Sequence, residues 1–415
     1  MTSVSWAGER VYTLDEAYQS AIGGNELIKI SEEGLIQSEA RIDQAWTYLY
    51  PRLSAQGGYA WFNETLPPEG GSFLFQPKEQ AQAALVLTQP LYTGGRTMAA
   101  LRTAKKMKEA SFAGLSFAIQ DMMMNVALAY YGVLKASKSI DISKRSLERM
   151  EHHQAVTERE ATTRKSKANQ SAMLRARSLV SQARITLVRS QDSLKIAQEK
   201  LAFLSKLPLD ATLVEPGEIE PPAENIERLQ AIAADNRKDL ETAKINKSIA
   251  DENITIVQGG HYPQISAIAA AQYVDSQPTV FTDATTYYAG FRLQVPIFEG
   301  GLQKAEVSEA RSKARQAELS RDFVRQSIAS DVHEAWVNLQ TANSVLETAK
   351  QQLSYAKDSF STAEGLFSDG LLPSISLIDA EQGFTMAERE VVNTTYDRQI
   401  AILRLKKSIG LLGKD

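Results

Sequence analysis

Gln89-Pro90-Leu91-Tyr92-Thr93-Gly94-Gly95 is echoed 206 positions later by Val295-Pro296-Ile297-Phe298-Glu299-Gly300-Gly301, counting from Pro90 to Pro296. That echo decides how the rest of the chain is read. Each stretch closes an alternating segment and opens a very long helix-forming one. Gly tolerates positive φ, so each Gly pair is the expected site of a sharp strand-to-helix turn. A phosphate-binding loop is the sharper reading of Gly94-Gly95 and Gly300-Gly301, but no Lys-Ser/Thr follows as that loop requires.

Two further echoes keep the same order. Tyr50-Pro51-Arg52-Leu53-Ser54-Ala55 returns as Tyr262-Pro263-Gln264-Ile265-Ser266-Ala267, and Val126-Ala127-Leu128-Ala129-Tyr130 as Val332-His333-Glu334-Ala335-Trp336. Three ordered matches make the chain two similar halves, 1–207 and 224–415, joined by a Pro-rich linker over 208–223.

Both halves follow one plan. A helix is expected first, over 13–49 and 224–259. Two alternating segments follow, over 51–62 and 80–92, then over 263–274 and 286–298. Period-two alternation is the signal of a strand with one apolar and one wetter face. In the second half the wetter face carries Gln264, Ser266, Gln272, Tyr288, Arg292 and Gln294. After each Gly pair there is no Pro from Arg96 to Thr163 or from Leu302 to Ser368, and good helix formers dominate. About 65 residues at 1.5 Å each give on the order of 100 Å of helix. Returning helices are expected over 170–205 and 374–412. No compact globular domain needs rods of that length.

Each strand is about as long as a tilted strand crossing a bilayer, and a sheet in lipid must close because an open edge leaves backbone groups unpaired. Four strands cannot close alone, since barrels start at about eight. Two copies would supply eight strands and three would supply twelve, and periodicity leaves both open. A soluble antiparallel sheet uses the same alternation, and a soluble oligomeric coiled-coil scaffold would account for the rods. Neither explains strand pairs at equivalent places in both halves.

This duplicated plan, with Tyr-Pro opening the first strand and Pro-x-[Tyr/Phe]-x-Gly-Gly closing the second, resembles the TolC family of outer-membrane efflux proteins over residues 11–413. The resemblance implies a mainly α fold with a membrane β-barrel. A homotrimer would form a twelve-stranded barrel in outer-membrane lipid, continuous with a long α-helical coiled-coil tunnel in the periplasm. It implies a passive channel of a tripartite efflux or type I secretion system in a Gram-negative bacterium. The implied partners are a periplasmic adaptor (membrane fusion) protein and an inner-membrane transporter.

Specific residues follow from the same resemblance. Phe367, Gly370 and Leu371, between the long and returning helices of the second half, match the tip that meets the adaptor. Ser166 stands at the first-half tip where Gly is expected, within a basic segment. Ser376 and Asp379 occupy positions where the family carries aspartates at the narrowest point of the pore. Three copies of Asp379 would form a carboxylate ring, and such rings attract cations and set selectivity.

Composition narrows the remaining classes. The net charge of -4 gives no reason to expect nucleic acid, and the absence of Cys removes disulfides, thiolate metal sites and cysteine nucleophiles. No run of about 18 apolar residues is evident, so no transmembrane helix is expected, and the first residues lack a signal-peptide core. A cytoplasmic protein or a mature exported one fits that beginning. His152-His153 reads as a solvated helix face and Met122-Met123-Met124 as packing. No G-x-S-x-G, H-E-x-x-H or dinucleotide fingerprint occurs, so no enzyme, cofactor or metal is expected.

Overall fold

The computed structural model describes residues 11–63, 77–163, 167–222, 225–277 and 284–413. The elements run β1 (Val11–Tyr12), α1 (Leu14–Gly24), α2 (Glu26–Thr47), β2 (Arg52–Trp61), β3 (Glu79–Tyr92), α3 (Arg96–Thr163) and α4 (Lys167–Ser205). They continue with β4 (Thr212–Leu213), α5 (Ile226–Asn236), α6 (Lys238–Gly259), β5 (Gln264–Gln277), β6 (Ala284–Gln294), α7 (Leu302–Ser368) and α8 (Ser374–Ser408). The 68 residues of α3 and 67 of α7 match the rods expected from the Pro-free stretches.

The expected single helix over 13–49 is two helices, and so is the one over 224–259. Asn25 is the reason in the first case. It leaves α1 with extended backbone (φ −79°, ψ 133°), its Oδ1 accepts from the Leu27 amide, and its Nδ2 donates to the Leu204 carbonyl. One side chain thus caps α2 and ties the break to the end of α4. Arg237 breaks the second helix with φ −69° and ψ 120°, held by carboxylates of Asp239 at 2.6 Å and Asp331 at 3.3 Å. Thr13 caps α1 in a reciprocal box with Glu16, and Asn225 caps α5 on the Arg228 amide. Cap and break recur 212 positions apart, the spacing of the two Tyr-Pro pairs.

The chain divides into two compact units that cut across the sequence halves. One comprises 1–32, 114–239 and 324–415; the other comprises 33–113 and 240–323. The first has a core of Tyr130, Tyr131, Val126, Ile28 and Leu403, joined by Met122 and Met124. The Met run therefore packs, as its composition suggested. Tyr130 places its hydroxyl within reach of the carbonyls of Tyr12 and Val214, beside the parallel pairing of β1 with β4. Two-residue strands carry no readable alternation, so that pairing had no sequence signal. Burial pushes the Tyr130 and Tyr131 phenols up to about 12.

No transmembrane helix is expected from the sequence, and among the described residues one helix, α3, is long and apolar enough to pass a test of length and composition. α3 holds one 18-residue window of mean hydropathy 1.3 with few charges. α3 also supplies Met122, Val126, Tyr130, Tyr131 and Val133 to the core, and a core helix passes the same test.

The second unit carries the antiparallel sheet, in the order β2-β3-β5-β6. Its register makes one continuous apolar face. Leu53 pairs with Leu87, Leu85 with Ala271, Ala271 with Tyr287 and Ala267 with Phe291. The opposite face takes Gln264 against Gln294, Ser266 against Arg292, Ala270 against Tyr288 and Gln272 against Thr286. The six polar residues expected to share a face do so. The apolar face is not covered by the chain itself: Leu53 is 70% and Phe291 80% exposed. β6 ends at Gln294, short of the expected 298. Pro296 has no N–H to donate and β6 is an outer strand of the sheet. β3 continues past Pro90 to Tyr92 because a register shift between those two residues accommodates the proline.

Candidate functional site

Two places in the chain carry the residues singled out from sequence. The first is the passage from sheet to long helix. Gly94 and Gly95 have φ of +65° and +82°, and Gly300 and Gly301 have +62° and +90°. At Gly94 space as well as conformation demands glycine. A Cβ there would come within 2.4 Å of the Gly259 carbonyl oxygen and 2.7 Å of the Tyr262 Cβ. The first α3 turn then closes with the Ala99 amide on the Gly95 carbonyl, and the first α7 turn with Ala305 on Gly301.

The second is the turn between α7 and α8. Gly370 sits at φ +73° just past the end of α7. Its amide donates to the Phe367 carbonyl and the Leu371 amide reaches back to Leu366, both at 2.9 Å. Those two bonds form a Schellman termination, which needs a left-handed residue at this point. Pro373 then starts α8 in extended backbone, and the Ser376 amide donates to its carbonyl at 3.0 Å. Leu371 projects at 73% exposure, while Phe367 is half-buried and packs on the His153 ring at 5.2 Å.

α8 is two-faced from its first turn. Leu377, Ile378, Glu381 and Thr385 recur at helical spacing and are buried, whereas Asp379, Gln382, Gly383 and Met386 are exposed. Ser376 is half-buried. Asp379 and Ser376 thus share the N-terminal part of α8, next to the turn holding Phe367, Gly370 and Leu371. Ser166 lies outside the described residues.

Beneath the turn lies a polar cluster the sequence did not advertise. Glu381 is 3% exposed and accepts from Arg149 Nε at 3.1 Å, Ser146 Oγ at 3.0 Å and Thr385 Oγ1 at 2.9 Å. The Arg149 guanidinium also donates to Thr385 and lies against the rings of Phe384 at 5.2 Å and Phe360 at 5.8 Å. Glu388 pairs with Arg145 at 3.1 Å and Arg149 at 3.6 Å. A buried charge must be paired and hydrogen-bonded, and Glu381 meets that demand with Arg149, Ser146 and Thr385. The signal available in the sequence was a Glu at the apolar stripe position four after Leu377.

His153 corrects another expectation. It is 6% exposed, not part of a solvated face, and its Nε2 meets Ser374 Oγ at 2.9 Å. Only its neighbour His152 is exposed, because adjacent helical residues point about 100° apart. Arg149, His153, Phe360, Phe367, Ile378 and Glu381 line a cavity of about 520 Å³.

A sheet with one continuous apolar face, carried on a chain with two rods of this length, is the make-up of an envelope channel, and the comparisons agree. The profile of the outer membrane efflux protein family matches residues 17–205 and 229–411. The chain is 22% identical to the probable outer membrane lipoprotein SilC of Salmonella typhimurium, over 94% of this chain and 84% of that protein. It is 22% identical to the outer membrane protein TolC of Vibrio cholerae, over 100% of this chain and 93% of that one. Its fold matches the CmeC outer membrane channel of Campylobacter jejuni with a TM-score of 0.84 at 14% identity, covering 98% of this chain and 90% of that one. The chain belongs to the outer membrane efflux protein family. It is an outer-membrane channel of Gram-negative efflux or secretion systems, with the mainly helical fold of that class.

Proposed function

We propose that three copies of this chain form one passive conduit, with a twelve-stranded barrel in the outer membrane and a helical tunnel in the periplasm. The observation that carries this reading is the sheet. Its strands are 10 to 14 residues long, enough for a bilayer, and one face is apolar across all four. β2 and β6 stand at its two ends, and in hydrocarbon their outward N–H and C=O groups need partners. Pairing β2 of one copy with β6 of the next supplies them. Twelve strands from three copies is the closure the family resemblance favours.

The finer assignments belong to the same proposal. The tip formed by Phe367, Gly370 and Leu371, with Ser166 at the first-half tip, docks a periplasmic adaptor. Asp379 and Ser376 line the constriction. An inner-membrane transporter supplies the energy, since nothing in a conduit of this kind stores or releases it. Residues 1–207 and 224–415 are two copies of one unit, a reading supported by the recurring caps at Thr13 and Asn225 and breaks at Asn25 and Arg237.

The test is fractionation of native membranes, followed by extraction in mild detergent and measurement of oligomeric mass. A detergent-dependent species of three chains in the outer-membrane fraction is expected. A freely soluble rod of any stoichiometry would sink the conduit and favour a coiled-coil scaffold.

A further inference from the structure

The cavity beneath the α7–α8 turn has features that a gap between packed helices does not need. Its volume of about 520 Å³ lies within the range of small-molecule sites. Three helices wall it: α3 through Met150 and Val156, α7 through Phe360 and Phe367, and α8 through Leu377 and Ile378. These are aliphatic and aromatic surfaces, the lining that such sites usually show.

Its charge is one-sided. Glu148, Glu364 and Glu381 line it, against a single guanidinium, that of Arg149. Arg149 is already committed to Glu381 and Glu388. Glu148 and Glu364 are exposed, lie on two different helices that face the same cavity, and enter no ion pair among the described residues. Three carboxylates against one guanidinium leave these four groups with a net charge of two negatives. The aromatic wall has a matching preference. Phe360 and Phe367 supply it, and the Phe360 ring already meets the Arg149 guanidinium at 5.8 Å, which shows that this wall accommodates a cation beside an aromatic face.

We infer that this cavity binds a small organic cation with an apolar, preferably aromatic, body. The body fills the space among Val156, Phe360, Phe367 and Ile378, and the positive charge lies toward Glu148 and Glu364. Anions of the same shape are rejected, because they would bring negative charge against two uncompensated carboxylates. A bound molecule touches α3, α7 and α8 together, so it also stabilises their present arrangement by mass action. This inference stands apart from the conduit proposal, since it concerns a cavity within one chain and requires neither a trimer nor an adaptor.

Tetraphenylphosphonium and tetraphenylborate test it, because they share size and shape and differ in the sign of charge. Their binding to the full chain in lipid nanodiscs is measured by isothermal titration, with the signal from empty nanodiscs subtracted. Saturable binding of the cation is expected, with the anion at least tenfold weaker. In the Glu148→Gln/Glu364→Gln double variant, cation affinity falls at least tenfold while the unfolding midpoint stays within a degree or two of the parent. Val156→Trp, which fills the cavity, abolishes saturable binding of the cation. Equal affinity for the two ions, cation affinity in the double variant within twofold of the parent, or no saturable cation binding at all would each overturn the inference. Loss of the trimer with binding intact would instead count against the conduit proposal alone.

Discussion

At the scale of single residues, backbone conformation and charge placement make different demands. Gly370 holds a left-handed conformation in the Schellman turn, and open space surrounds its Cα. Gly370→Ala is therefore a conformational perturbation without a clash, expected to cost about 1 kcal/mol. Amide exchange should quicken locally at residues 366–371, with little change in the global unfolding midpoint. Asp379 poses a functional question. It lies on the exposed face of α8, away from the buried Leu377, Ile378 and Glu381. If Asp379 forms a carboxylate ring in the proposed constriction, Asp379→Ala lowers cation preference in single-channel recordings and changes conductance. Unchanged selectivity and conductance would remove Asp379 from the constriction.

At the scale of elements, the pairing of α3 with α8 depends on a buried ion pair. Removing one partner strands the other in a poorly solvated place, so Glu381→Ala should cost about 3 kcal/mol in unfolding free energy. Arg149→Met/Glu381→Leu removes both charges and should recover most of that loss. A double variant no more stable than Glu381→Ala would show that the pair is not the source of the cost. The core of the first unit gives a prediction of opposite pH sense to acid unfolding. The Tyr130 and Tyr131 phenols are raised from about 10 in an unfolded chain to about 12 by burial. A raised folded pKa means the neutral form is favoured by folding. That contribution is fully present below pH 10 and is lost as pH rises through 12. Thermal midpoints should therefore fall between pH 10 and 12, and a Tyr131→Phe variant should fall less.

At the scale of the whole molecule, the absence of native Cys makes cross-linking clean. Cysteines placed singly along β2, at Ser54 or Gln56, and singly along β6, at Tyr288 or Arg292, are combined pairwise in one chain. If β2 of one copy meets β6 of the next, at least one combination gives intermolecular disulfides. Non-reducing gels should then show dimers and trimers and stop at three. A ladder that continues beyond three, or no ladder for any combination, would refute the closed ring.

The elements with strong periodicity were legible in the sequence, and those fixed by single polar contacts were not. The Pro-free run and the Gly370–Pro373 stop gave α7 nearly to the residue, because a helix extends until a breaker stops it, and the Gly pair gave the start of α3. Alternation gave the faces of the four strands, because a period of two assigns faces before any pairing is known. The Gly pairs marked the sheet-to-helix turns, since only positive φ turns the chain that sharply. Tertiary structure alone decided the rest. The helix break at Asn25 is tied to Leu204, 179 positions away, and Arg237, besides its near neighbour Asp239, reaches Asp331, 94 positions away. Likewise, the pairing of β1 with β4 and the burial of His153 and Glu381 depend on which helix faces which. A side chain's own residue type and local spacing carry no record of a distant partner. Burial of a charge becomes possible only when that partner arrives.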